Sequence, residues 1–503
     1  MKNERKITTW TKIAYGSGRL VGSGFSGLTG SWLLFFYTTF CGLSATKAAL
    51  IFSIATAVQA IFNPIMAFIT DNFYATKLGR KFGRRRFWIL ISIPLMMLFP
   101  FLWIAGMNFW YYLFSYVAFE IIYTMSTLPY GTLAVEMTTE FDQRAYLEGY
   151  GSMIAKVANF MVAALPGLFF MLLGKNSPYS FLAVTTVYGV IMVLSEILVY
   201  KNTWERSFEE VADEHVEGFL LAIKKLVVDI LSTLRIRAFR QHLGIYMFGQ
   251  GAEGLFSATF TYFIVFALAR PTTLVSGLNS MSSIIQLCST AVFMVYVAKK
   301  GFRQPLTLAL SVVICSCIAY AAIYFFHLSN ITWVIIAVTV VFATFTGGVF
   351  YVPVTLYTFM ADVDEAVTNR RREGTYSAVM GMAGKLMNAV YIFMLGFVLD
   401  SFGFKEGATV QSTSAVHAII GILVLGVGSM AIVGILSVSR LKLNHHTHQI
   451  LVDEVARIHD GGSMADVTDE AREVVETLTG FKYEDCFGNN NVGYHAVKVS
   501  AHV

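Results

Sequence analysis

Four charged side chains sit deep inside long apolar runs: Glu120 in YVAFEIIYT, Lys156 in MIAKVAN, Glu253 in GQGAEGLF and Lys385 in GMAGKLMNAV. A charge carried to the middle of a bilayer costs roughly 2.5–3.5 kcal/mol on insertion scales, so each needs a partner or a task. A carboxyl group in such a place is a candidate proton carrier, and Glu120 or Glu253 could act as one. The alternative is a salt bridge to Lys156, Lys385 or Arg19. Lys156 could meet an anion or snorkel toward nearby basic loops, and Lys385 could face a ligand carboxylate or complete a structural ion pair. Arg19, near the end of the first apolar run, could contact a ligand, gate, or snorkel in the same way. Gln59 and Asn63, in QAIFNPIMAF, put two amides four residues apart on one helix face.

Tyr123, Tyr130, Gln250 and Asn388 lie in the same apolar runs, and Asn279 and Gln286 in the run at 272–298. Aromatic stacking and amide hydrogen bonds suit a sugar, although ordinary helix packing uses the same residue types. Two turns concentrate acids and bases: Glu136, Asp142 and Arg144 in VEMTTEFDQRAYLEG, and Asp362, Asp364 and Arg372 in ADVDEAVTNRRREG. Their position outside the apolar runs makes them gating residues, expected to form salt bridges between two bundles rather than to touch a ligand.

The elements that must hold these groups are membrane helices. Of 503 residues, 56% are hydrophobic and 14% charged, against about 25% charge in a soluble chain. Runs of about 20 apolar residues recur about twelve times, from 17–41 to 413–437, each long enough to cross the hydrocarbon as a helix. The chain reads as an all-α membrane protein. MKNERKITTW lacks a short apolar core and small-residue cleavage site, so it is not expected to be a signal peptide. The net charge of +5 gathers in alternate loops such as KLGRKFGRRR and AKKGFR, which argues for two cytoplasmic termini and not for a nucleic-acid partner. The five cysteines show neither disulfide nor metal spacing and read as small core residues.

The basic turn GRKFGRRRFW recurs as AKKGFRQPLT, and the acidic turn around Glu136 recurs around Asp362. Such punctuation divides the chain into two six-helix bundles, 1–199 and 241–440, with a linker at 200–240 and a soluble cytoplasmic tail at 441–503. The linker carries the amphipathic stripe Phe219, Ile223, Leu226, Ile230, Leu234. In the tail a helix is expected near 465–479, and the HHTH tract reads as incidental. No nucleophile–base constellation, phosphate loop or metal motif is present, so no enzyme, cofactor or metal is expected.

Several of these segments together resemble the glycoside-pentoside-hexuronide:cation symporters of the major facilitator superfamily, typified by the melibiose permease. The resemblance rests on AYGSG, FFYTTFCGLS, QAIFNPIMAF, GRKFGRRRFWIL, LPYGTLAVEMT and ADVDEAVTNRRREGTYSAV, spread from the first helix to the eleventh. It implies twelve transmembrane helices in two bundles, alternating access, and sugar uptake coupled to Na+ or H+. In that family two aspartates of the second helix bind the coupling cation; they fall on Gln59 and Asn63. The family's sugar-binding aspartates fall on Ser23 and Thr127, a sugar-contacting arginine on Ser152, and a frequent aspartate of the first helix on Arg19. Lys385 matches a lysine that faces the cation-site region.

With carboxylates lost from the cation and sugar positions and lysines kept, Na+ coupling loses its strongest attraction. The expectation is a monomeric, proton-coupled importer of an acidic sugar or oligosaccharide in the inner (plasma) membrane, similar to the oligogalacturonide and rhamnogalacturonide branch. The rivals are a cation-coupled carrier of a neutral glycoside or lysolipid, and a non-transporting sensor or scaffold acting through the tail.

Overall fold

The computed structural model describes residues 6–493 apart from 139–140, 175–176, 207–218 and 370–371. Side chains at 64, 71, 72, 135, 141, 142, 144, 145, 219–223, 225, 226, 373, 374, 377 and 378 are also outside the description. The expected gating residue Arg144 therefore lies outside the described residues, as do Asp142 and the linker stripe positions Phe219, Ile223 and Leu226.

The first crossing is a chain of short pieces: α1 (Thr9–Ser17), α2 (Arg19–Leu28), a π-helical turn (Thr29–Leu33) and α3 (Leu34–Phe40). Next come α4 (Ala45–Asn72), the short basic α5 (Lys77–Phe82) and α6 (Arg86–Leu95), which tightens into a 3-10 segment (Met96–Trp103) holding Pro100. Then α7 (Phe109–Met137), α8 (Phe141–Leu173) and α9 (Pro178–Asn202) complete the first bundle. The linker contains α10 (Phe219–Thr233).

The second bundle has α11 (Arg237–Tyr262) with its π-helical turn (Phe263–Ala267), α12 (Thr272–Lys300), α13 (Arg303–Phe325) and α14 (Thr332–Tyr357). It continues through the short α15 (Met360–Thr368) to α16 (Glu373–Ser401), α17 (Thr413–Gly421) and α18 (Val427–Arg440). Side-chain caps start several of these helices: Ser44 for α4, Asn108 for α7 and Ser412 for α17 each accept a hydrogen bond from a backbone N–H of the first turn.

Among the described residues, nine segments are long and apolar enough to cross a membrane by themselves. The other three crossings are α1–α3, α7 and α11. Their polar and aromatic side chains lower their hydropathy, and these are the helices that turn such residues toward the middle of the protein. The bundles touch chiefly through two helix pairs, α4 with α16 and α8 with α12.

The two ends of the molecule are held differently. At the face opposite the basic loops, the Asp400 carboxylate of α16 accepts hydrogen bonds from the backbone N–H groups of Ala45 and Thr46, at 2.9 and 2.8 Å. A carboxylate there also meets the positive end of the α4 dipole. Gly396 lies so close to α4 that an added Cβ would be 2.4 Å from the Ala45 carbonyl oxygen. Thr38 and Tyr262 hydroxyls are 2.8 Å apart across the same junction.

At the charged face, Glu136 pairs with Arg84 at 2.8 Å, Arg85 at 3.4 Å and Arg206 at 3.0 Å. Arg372 pairs with Asp364 at 2.6 Å and with Asp229 of α10 at 3.2 Å. Tyr376 also donates to Asp364, which is fully buried. For these groups, each pair among the described residues lies within one bundle or ties it to the linker. Among the described residues, the hydrogen bonds that join the bundles all lie in the half away from the charged face, from Ser53–Ala389 and Ser31–Ser257 outward.

Beyond α18 the chain folds back. Asn444 and Thr447 form a reciprocal cap on α19 (His445–His459), which packs with α20 (Asp469–Thr479) against α15. His448 is 2.8 Å from Asp362, and backbone N–H groups of Phe487 and Gly488 donate to Ala366 and Val367 at 2.8 and 2.9 Å. The HHTH tract therefore opens a helix, and the expected gating residue Asp362 faces the tail. The expected helix near 465–479 is α20.

Candidate functional site

Two cavities of about 270 Å³ each flank the place where the first crossing meets α11. The first is walled by α2, α4, α7 and α16, with Tyr246 of α11, so it has both bundles in its lining. The second is walled by α2, α8, α11, α12 and α14. Gly30, in the π-helical turn, would place an added Cβ in open space, so the backbone itself borders the first cavity. Single π-helical turns inside α-helices recur at functional sites.

In the first cavity Glu120 of α7 and Lys385 of α16 face one another from opposite bundles. No contact ion pair joins them. The Glu120 side chain is 6% exposed, and its Oε2 has no hydrogen-bond partner among the described residues. Tyr116 and Gln59 are its polar neighbours, and the Gln59 amide itself donates to Thr124 Oγ1 at 3.3 Å. Asn388, one turn along α16 from Lys385, donates to the Tyr391 hydroxyl at 2.8 Å. Tyr123 lines the same cavity and packs on Phe25 with ring centroids 4.8 Å apart. The arrangement supplies one carboxyl group, one amine and aromatic faces in a single volume.

In the second cavity the acid is Glu253 of α11, with Gln286 of α12 beside it. Lys156 of α8 is within electrostatic range of Glu253 and stands 4.8 Å over the Phe350 ring of α14. Lys385 therefore lines the first cavity, whereas Lys156 is in the lining of neither and lies beside Asn159, which borders the second.

The remaining predicted residues fall outside both linings. Arg19 pairs with Glu148 at 2.5 Å and lies over Tyr130, 5.7 Å from its centroid. Tyr130 stacks on Tyr15 at 5.1 Å and donates to its carbonyl at 2.9 Å. This cluster sits nearer the charged face, and Arg19 keeps 40% side-chain exposure. Thr127 donates to the Tyr123 carbonyl at 2.8 Å, and the Gln250 amide to the Val349 carbonyl at 3.4 Å. Ser23 and Asn63 are half-buried, and Ser152 is exposed.

Sequence reasoning passed over Tyr116, Tyr246, Thr124, Asn159 and the Asp400 latch. A signal for one of them was present. Lys156-Val-Ala-Asn159 and Lys385-Leu-Met-Asn388 repeat the same spacing on helices at matching positions in the two bundles.

Residues 14–445 match the family described as MFS/sugar transport protein. An uncharacterized symporter, YnaJ of Bacillus subtilis (strain 168), is 24% identical over 446 residues, 84% of this chain and 89% of its own. A glucuronide carrier protein homolog of Escherichia coli (strain K12) is 21% identical over 232 residues, 44% of this chain and 49% of its own. The crystal structure of a D-xylose-proton symporter shares the fold, with a TM-score of 0.60 and 15% identity over 86% of this chain and 96% of that one. The family match runs from the first crossing to the twelfth, and the chain, an integral membrane transporter rather than an enzyme, belongs to the MFS/sugar transport protein family.

Proposed function

We propose that the protein imports a uronide, an acidic sugar or oligosaccharide, together with a proton, by alternating access across the inner membrane with both termini in the cytoplasm. The observation that carries this reading is the Glu120–Lys385 arrangement: an acid and a base from opposite bundles, facing each other across a cavity without touching. Two opposite charges in a low-dielectric site neutralise one another only while both are present. When Glu120 takes a proton, Lys385 is left without a counter-charge. A sugar carboxylate then restores neutrality. The lysine cannot balance two carboxylates at once, so substrate binding and protonation favour each other, as symport requires.

The cavity is neutral in both states, with ionised Glu120 and Lys385 or with protonated Glu120, Lys385 and one uronate. The loaded carrier crosses between states without a net charge inside it, which avoids the mid-membrane cost of an unbalanced ion. Tyr116, Tyr123 and Asn388 supply the ring face and hydrogen bonds that a sugar needs. Resemblance to a glucuronide carrier protein homolog supports the same substrate class.

Uptake of a labelled glucuronide and a labelled galacturonide disaccharide into proteoliposomes tests this, with an imposed proton gradient, a Na+ gradient or neither. Proton-driven uptake of a uronide that neutral glycosides do not displace is expected. Lys385→Met should lower the affinity about 30-fold or more, the scale for removing one partner of a buried charge pair. Na+-driven uptake, or equal competition by the neutral sugar, would overturn the reading.

A further inference from the structure

Gln59 of α4 is 5% exposed, and its Nε2 donates to Thr124 Oγ1 of α7 at 3.3 Å. Glu120 stands one turn before Thr124 on the same helix, and side chains four apart on a helix face have Cβ atoms about 5–6 Å apart. Gln59 and Glu120 also line the first cavity together. The bond to Thr124 leaves the amide a second N–H and a carbonyl oxygen. Glu120 Oε2 has no hydrogen-bond partner among the described residues. Buried polar atoms are seldom left so, and the amide is the nearest group that can both donate and accept.

The second bundle shows what packing alone requires. Gln286 of α12 donates to Thr346 of α14 at 3.0 Å, which ties two helices in the same way. There the threonine hydroxyl is fixed by the Phe342 and Ala343 carbonyls of its own helix, at 3.1 and 3.2 Å, and the acid of that cavity, Glu253, is on a third helix, α11. Among the described residues Thr124 makes no bond of that kind to α7, and its acid neighbour is on its own helix. A tie between helices needs only the second arrangement. The first adds a carboxyl beside the amide and a hydroxyl able to turn.

We infer that Gln59 is the positioning residue for proton exchange at Glu120, through an amide that changes partner with the charge on the carboxyl. This rests on the reading of Glu120 as the proton carrier. With Glu120 ionised, Gln59 turns an N–H to the carboxylate. With Glu120 protonated, its O–H donates to Gln59 Oε1, and the amide N–H is on Thr124, where the structure has it. The bond to the charged form is the stronger of the two. The exchange leaves the carboxyl partnered in both states, so the proton can come and go without a bare polar atom. α4 also packs against α16, where Ser53 donates to the Ala389 carbonyl at 3.5 Å, so the helix that answers to the charge is one that meets the other bundle. The other titratable groups in the lining are Lys385, Tyr116, Tyr123 and Tyr246, and α2 and α4 contribute none.

Infrared difference spectra of the full chain in liposomes, taken through a pH series without substrate, test this. The carboxylic C=O band of protonated Glu120 is the band that Glu120→Gln removes. Gln59→Leu takes the donor from the ionised form, and the band should persist to a pH about one unit higher, a roughly tenfold tighter hold on the proton. Thr124→Val removes the competing acceptor and keeps the amide on the carboxylate, so the midpoint should fall by up to about one unit. Thr124→Ser keeps the hydroxyl and should restore the wild-type midpoint. Gln59→Leu and Thr124→Val break the same tie and should lower thermal stability alike, whereas a tie alone cannot move the midpoint in opposite directions. Shifts of one sign, or none, would overturn the inference. Gln59→Met gives the same reading if the leucine variant does not fold. If Glu120→Gln removes no band, the proton-carrier reading of Glu120 has failed, and this inference with it.

Discussion

The two faces of the molecule solve the problem of holding two bundles in opposite ways. At the uncharged face the grip crosses from bundle to bundle and uses main chain, small residues and one carboxylate: Asp400 on the start of α4, Gly396 against Ala45, Thr38 against Tyr262. At the charged face the described ion pairs, Arg84–Glu136 and Arg372–Asp364, are internal to a bundle. The first set can part without leaving a buried ion unpaired. The second set ties together the parts of one bundle or holds it to the linker. The division suits the alternating access proposed above, in which rigid halves rock about a contact that releases.

The largest effect should come from breaking a half. Asp364→Asn leaves Arg372 buried with less counter-charge, and removal of one partner from a buried pair costs roughly 3–5 kcal/mol. The variant should lose thermal stability in detergent, and the balance between open and closed faces should stay as it was in whatever remains folded. A large shift in that balance would erase the distinction between the faces.

Gly396→Val attacks the releasing contact. Even the Cβ would lie 2.4 Å from the Ala45 carbonyl oxygen, and overpacking of this kind costs about 1–3 kcal/mol. The cost falls only on the state with the uncharged face closed. Spin-label distances between the ends of α4 and α16 should lengthen, with fold stability little changed. Smaller still is Asp400→Asn. An anion at a helix N-terminus is worth about 0.3–1 kcal/mol when exposed and about 2 kcal/mol when partly buried. The same distances should shift in the same direction but remain bimodal, and no shift at all would mean that the carboxylate is incidental to closure.

The charges inside the membrane helices were legible because a bilayer makes them conspicuous. Glu120, Lys385, Glu253 and Lys156 each interrupt an apolar run, so composition alone picks them out, and the spacing of apolar runs fixed the all-α fold. Their partners were hidden by rotation. A helical run tells which residues share a face but not which neighbour that face meets, and so the sequence could not say that Lys385 lines a cavity and Lys156 does not. The positions carried over by resemblance fared unevenly: Gln59 borders the cavity, whereas Asn63, one turn away on the same helix, does not. Asp400 escaped notice because its partner is backbone, which has no signature in a sequence. Asp362 was grouped with the gate on its loop position, and its tail partner His448 is 86 positions away in the chain.

That last kind of invisibility has a bearing on heredity. The latch between the bundles joins one side chain to two peptide N–H groups, those of Ala45 and Thr46. Short of proline, no codon change at 45 or 46 deletes a donor. All the genetic variation in that bond is therefore concentrated at a single codon, 400, while the other half is carried by any sequence able to start a helix there. Descendants of this chain could lose every recognisable residue at the head of α4 and still close the same way.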